Sequence, residues 1–203
     1  MALWVVRAGK YGEREGQALE KNVAAIGWDE LPDLSGIKTR EELYALLEKI
    51  YPDEKRKTLL NWQSQIWPFI KEIQQGDIIA LPLKNRSVIV FGEVTGPYQY
   101  RSDFGGGMKH TRPVRWFEEL PRNAFDKDIL FSMGAFLTVF RVQRNNAEER
   151  VRVLLSNTQI KPANRNQETE TEIEAPLDIE QYANDQIRDY IAQKFKGHDL
   201  ARL

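Results

Sequence analysis

Residues 61 to 67 read NWQSQIW, two indoles set among an asparagine, a serine and two glutamines. An indole offers a broad face on which a flat ring can stack, and a carboxamide carries donors and an acceptor on a short arm. Asn61, Trp62 and Gln63 therefore hold what is needed to grip the face and read the edge of a planar heterocycle. Trp28, closing the stretch AAIGW, supplies a second face. The plainer reading makes Trp67 core and Trp62 a partly covered helix residue. A second group spans Lys84 to Arg115, where Lys84, Arg86, Arg101, Lys109, Arg112 and Arg115 stand against Glu93 and Asp103, with Tyr98, Tyr100, Phe104 and Trp116 interleaved. Cations that reach phosphates, mixed with rings that stack on bases, are the makings of a nucleic-acid groove. The alternative is a hairpin with one solvated basic face. The glycines at 105–107 favour the groove, because a loose hairpin tip suits probing between strands.

Other chemistries find little support. With no cysteine there is no disulfide, thiolate nucleophile or cysteine-ligated zinc, and His110 and His198, far apart in sequence, are the whole imidazole inventory. VVRAGKYG lacks the spacing of a nucleotide-phosphate loop. Asp29, Glu30 and Asp33 read better as a solvated acidic turn than as metal ligands, and no carboxylate pair beside a lysine has the spacing of a nuclease site. No catalytic residue, cofactor or metal is expected in this chain. A formal net charge of −1 makes any basic surface local, and 41% apolar residues suffice for a core. The opening MALWVVRAGK is too short in apolar residues for a signal segment, and nowhere do ~18 apolar residues run together as a membrane span needs. A soluble, cytoplasmic protein is expected, with no membrane partner.

These groups must be positioned by the elements around them. LWVVRAG reads as a first strand, residues 9–22 as a glycine-punctuated loop or short hairpin, NVAAIGW as a second strand and DELPDLSG as a turn-rich exit. Thr39 and Glu42 form a capping box for a helix with Leu43, Leu46, Leu47 and Ile50 on one face, stopped by Pro52. A second helix follows from residue 53, with Leu59, Trp62, Ile66, Ile70 and Ile73 in helical register and Pro68 as a kink. From Gly76 the period changes to strands: DIIALP, RSVIVFGEVTG, YQYRSD, KHTRPVRWFEEL and, after a short helix at DKDILFSMG, FLTVFRV, with NAEERVRVLLSN as a closing helix. The fold class is α+β, a curved sheet or small β-barrel flanked by helices. One domain is expected over 1–156, a polar, acidic linker over 157–177 and an amphipathic helix over 178–203 whose apolar face asks for something globular after it.

The stretches WVVRAGKYGEREGQALEKNVAAIGWDELPDLS, NWQSQIWPFIKEIQQGDIIALP and VIVFGEVTGPYQY, with DQIRDYIAQKFKGHDLARL at the tail, resemble the amino-terminal region of Mrr-type restriction endonucleases. The order of first strand, helix before a "GD" strand and following "GEV" strand is similar to EVE domains of the PUA superfamily, relatives of the YTH readers. This resemblance implies a PUA/EVE-like module over 1–155 that flips a modified base, methylated or hydroxymethylated cytosine, out of double-stranded DNA into an aromatic cage. The base-binding residues it implies are Arg7, Ala8, Gly9, Trp28, Asn61, Trp62 and Gln63, with Tyr98 and Tyr100. The backbone would be met by Lys84, Arg86, Arg101, Lys109, Arg112 and Arg115. The chain would be the specificity part of a restriction enzyme and not itself an enzyme, Mg2+ being needed only by a nuclease domain beyond it. Three rivals remain: an RNA-binding PUA-like module, a nucleotide or small-ligand sensor gating an effector, and an interaction domain whose final helix forms a homodimer.

Overall fold

A computed structural model describes residues 1–105 and 107–156. In chain order it has β1 (Leu3–Val6), α1 (Glu15–Glu20), β2 (Val23–Ile26), α2 (Arg40–Ile50), α3 (Arg56–Trp67), β3 (Ile78–Pro82), β4 (Val88–Val94), β5 (Gln99–Tyr100), β6 (His110–Pro121), α4 (Lys127–Met133), β7 (Val139–Arg141) and α5 (Ala147–Ser156). The linker expected over 157–177 and the helix over 178–203 lie outside the described residues.

The strands form one sheet in the order β2-β6-β4-β3-β1-β7, with β5 also on β6. Among the described residues only β1 and β3 pair in parallel. Every residue of β1 is buried, as expected of a strand covered on both faces. Its alternation sorts the core: Trp4 and Val6 face α2 and α3, while Leu3 and Val5 face α4 and α5. The long β6 turns the corner that curls the sheet into a half-barrel. Its first residues pair with β2 and β5 and its later ones with β4, across a register shift beside Gly92. A Cβ on Gly92 would lie 2.3 Å from Val114 Cγ1 and 2.6 Å from Trp116 Cε3, so the bend needs glycine there. The α+β class and the curved sheet flanked by helices are as the sequence predicts.

The "GD" of the sequence is structural. Asp77, buried, accepts hydrogen bonds from Ala2 N–H at 2.7 Å, Trp4 Nε1 at 3.1 Å and Gln74 N–H at 3.0 Å, tying the start of β1 to the entry of β3. The expected capping box forms in full: Thr39 Oγ1 accepts from Glu42 N–H and the Glu42 carboxylate accepts from Thr39 N–H. Pro68 converts the end of α3 into a π-helical turn over Pro68–Glu72 rather than a simple kink, with Ile73 N–H reaching back to Pro68 O at 3.0 Å. Two expectations change. Part of the loop over 9–22 is the short helix α1, and YQYRSD reduces to the two residues of β5. Among the described residues no helix is long and apolar enough to cross a membrane.

Candidate functional site

The ends of β1 and β2, the middle of α3 and the entry to β7 meet in a closed ring of contacts. Arg7 N–H donates to Thr138 O at 2.9 Å, and Thr138 N–H donates to Gln65 Oε1 at 2.6 Å. Gln65 Nε2 donates to Asn61 Oδ1 at 2.7 Å, one helical turn back on α3. Trp62, beside Asn61, meets Trp28 with ring centroids 6.2 Å apart and planes at 66°. Asp29, next after Trp28, accepts from Arg14 at 3.4 Å, and Arg14 N–H returns to Ala8 O at 3.2 Å. Gly9, at φ +98°, makes the turn that brings Arg14 back to Ala8. Arg7, Gly9, Trp28 and Trp62 are half-buried and Asn61 is exposed.

The two indoles stand edge to face, so the second face that Trp28 supplies forms a corner with Trp62 and not a parallel wall. One side of a flat ring can stack on an indole while its edge meets the other indole and the amides. Tyr51 backs Trp62 at 5.0 Å and 77°, its hydroxyl donating to Glu30 at 2.8 Å; that bond holds the Glu30 carboxyl below its ordinary range. Trp28 has φ +63°, a left-handed backbone that a tryptophan seldom adopts. Its carbonyl is held by Leu31 N–H at 2.9 Å and by His110 Nε2 at 3.2 Å.

Several expected residues lie elsewhere. The Gln63 amide donates to Arg40 O at the start of α2, so it ties two helices together instead of joining the ring. Gln65 takes the place expected of Gln63, and the spacing was a usable signal: on a helix 61 and 65 share a face, whereas 63 does not. The rings of Tyr98 and Tyr100 lie against His110, at 6.0 Å and 5.4 Å, and Tyr98 also packs on Phe69; the link from the tyrosines to Trp28 runs through the imidazole that bonds its carbonyl. Trp67 lies half-buried under the guanidinium of Arg40. Glu30 and Asp33 are engaged by Tyr51 and Ser35, and among the described residues no cluster of acidic or imidazole side chains is placed to hold a metal ion.

The six cations do not make one face. Arg112 is 4% exposed, with its guanidinium donating to Phe69 O and stacked over the Phe69 ring. Burial pulls its pKa down to about 10. A side chain so enclosed holds the hairpin to the π-helical turn and does not reach a phosphate, which corrects the expectation. Lys109 Nζ donates to Asp29 O at 2.9 Å and so braces the ring. Arg86 pairs with Glu119 through two bonds of 2.7 and 2.9 Å, towards the far end of the β4–β6 ladder, and Lys84 is half-buried in the turn before β4. Arg101 and Arg115, paired with Asp103 and Glu93, instead line a cavity of about 490 Å3 together with Lys21 and Phe104. The Phe104 ring is met by Arg101 at 4.0 Å and by Lys21 at 4.9 Å from its centroid. Lys21 was not foreseen, because it comes from the C-terminal end of α1, distant in sequence from the 84–115 stretch. Two further cavities, of about 640 and 220 Å3, are lined chiefly by the amino terminus with β7 and with α5, and neither contains Trp28 or Trp62.

The sequence matches, over residues 4–138, the model of a family described as "Domain of unknown function (DUF8426)". No curated protein matches the chain. Among solved structures it is similar to "Crystal structure of the MmI1 YTH domain", at 8% identity and a TM-score of 0.40, over 78% of this chain and 97% of that one.

Proposed function

The chain belongs to this domain-of-unknown-function family, and we propose that it is a reader module that holds one modified base, extruded from double-stranded DNA, in the corner between Trp28 and Trp62. The observation that carries this reading is the closed ring from Arg7 through Thr138, Gln65, Asn61, Trp62, Trp28 and Arg14 back to Ala8, which brings two indoles and a carboxamide pair together, with both indoles half-buried and Asn61 exposed. The modification proposed is 5-methyl- or 5-hydroxymethylcytosine. The role proposed is the specificity part of a modification-dependent restriction endonuclease, whose Mg2+-dependent nuclease domain would follow.

The corner geometry sets the energetics. Extruding a base costs a few kcal/mol, and a single base–indole stack returns about 1–3 kcal/mol. One stacking face therefore barely breaks even, and net affinity has to come from phosphate contacts. Arg101, Arg115 and Lys21, around the cavity of about 490 Å3, are the cations grouped to make them. An apolar corner distinguishes a methyl group by only about 1–3 kcal/mol.

The test is a panel of duplexes that differ at one cytosine: plain, methylated, hydroxymethylated or glucosylated, with single-stranded RNA of matched sequence as competitor. The expected result is a roughly 5- to 100-fold preference for one modified duplex that RNA does not displace. Equal affinity across the panel would overturn the reading, and displacement by RNA would move it to an RNA ligand.

A further inference from the structure

Sequence reasoning sets His110 aside as a lone imidazole, yet it is fully enclosed beside the ring, at 0% exposure. Its Nε2 lies 3.2 Å from Trp28 O and its Nδ1 lies 2.8 Å from Tyr98 Oη. Tyr98 Oη in turn accepts from Leu34 N–H at 3.3 Å. A carbonyl oxygen can only accept, so Nε2 must carry the proton. A neutral imidazole has one N–H, so Nδ1 must accept, and the Tyr98 hydroxyl must be its donor. The direction is thereby fixed along the chain: Leu34 N–H to Tyr98, Tyr98 O–H to His110, His110 N–H to Trp28 O.

We propose that His110 and Tyr98 are positioning residues: their hydrogen-bonded relay, running from the 31–34 turn to the Trp28 carbonyl, holds Trp28 in the left-handed conformation that presents its indole to Trp62. The need for such a device follows from φ +63°, which costs a non-glycine residue free energy and persists only where its surroundings over-determine it. The relay works with neutral His110 only. A proton on Nδ1 would set N–H against O–H, and the Tyr98 hydroxyl could then accept it only by turning its own proton away from the imidazole, which leaves that O–H without its acceptor. The charged and titratable groups facing the imidazole are Tyr98, Tyr100, Asp29 and Asp33. Burial outweighs the two carboxylates and keeps the His110 pKa below its ordinary value. The folded state therefore takes up fewer protons at this site than the unfolded chain does. Its contribution is whole above the ordinary imidazole pKa and is lost as the pH falls through the lowered one.

The inference concerns how Trp28 is held, and its effect on binding rests on the reader function proposed above; the experiment separates the two. In the whole protein at neutral pH, nitrogen-15 spectra should show His110 as the Nε2–H tautomer, and the Leu31 and Leu34 amides should be protected from exchange. His110→Leu should lower that protection roughly tenfold while leaving the β4 amides unchanged, and His110→Gln, which keeps a side-chain N–H, should restore most of it. Wild-type preference for modified DNA should fall as the pH is lowered through the His110 titration, and that of His110→Gln should stay flat. An Nδ1–H or doubly protonated ring at pH 7, or unchanged protection in His110→Leu, overturns the relay. If the relay passes these tests but no duplex is preferred at any pH, the relay stands and the reader function fails.

Discussion

Asn61 and Gln65 hold each other through one amide hydrogen bond, and Gln65 commits its carbonyl to Thr138 N–H. Asn61 is the exposed member, and among the described residues its amide N–H groups meet no acceptor, while Gln65 fixes its orientation. Trp62→Ala should erase the preference for modified over plain duplex and leave the salt-sensitive background intact, as a filter-binding comparison at two salt concentrations would check. Gln65→Ala leaves Thr138 N–H without its acceptor and should destabilise the fold by about 1–3 kcal/mol, measured by urea denaturation. The ring was half legible from residue types alone. Trp28, Asn61 and Trp62 announce themselves as large or amide side chains at the right places, whereas Gln65, Thr138 and Arg14 enter only once strand ends distant in sequence are brought together. Arg112 shows the opposite failure: a cation in a basic, aromatic-rich stretch looks exposed, and nothing local says that its guanidinium lies over Phe69.

Local rules predict an element well where its determinants are local. Helix α2 carries its own start signal, and Thr39→Ala should cost about 1 kcal/mol through loss of the cap, a shift in thermal midpoint without change in binding. Helix α3 was also readable from its spacing, but the form of its end was not. Pro68 has no N–H to continue the ladder, and the chain answers with an i to i+5 bond at Ile73 that places Phe69 where its carbonyl receives Arg112. Helix α1 was missed because Gly12 and Gly16 break the apolar pattern, while its stability comes from tertiary contacts: Ala18 is buried, and Glu15 accepts Lys84 N–H at 2.7 Å. Burial raises the Glu15 carboxyl's pKa, so ionising it costs more in the folded chain than in the unfolded one, and its effect on stability worsens as pH rises through that range. The bend of β6 rests on Gly92. Gly92→Ala puts a methyl group into Val114 and Trp116 and should cost about 1–3 kcal/mol, with loss of binding only to the extent that β6 shifts His110.

At the scale of the whole molecule, charge is arranged rather than accumulated. A net charge of −1 gives no general attraction to a polyanion, and three of the six cations in the 84–115 segment are engaged elsewhere in the fold: Arg112 on Phe69 O, Lys109 on Asp29 O, Arg86 on Glu119. Arg101 and Arg115 are also paired, but with Asp103 and Glu93 at the rim of a shared cavity that Lys21 also lines. Such exposed pairs are worth little to stability, so exchanging a carboxylate for a phosphate there costs little. The Asp103 carboxyl, held down to about 2 by Arg101, remains ionised at any pH used for binding and competes throughout. Replacing Arg101 and Arg115 with glutamine should weaken plain and modified duplexes alike and reduce the slope of log affinity against log salt by about one for each phosphate that is no longer neutralised. Arg86→Gln, made at the other end of the ladder, should leave the slope where it was. Titrations of all three proteins at four salt concentrations separate the cases: equal slopes throughout would remove this cavity from the path of the strand, and a change confined to Arg86→Gln would move that path to the opposite end of β4 and β6.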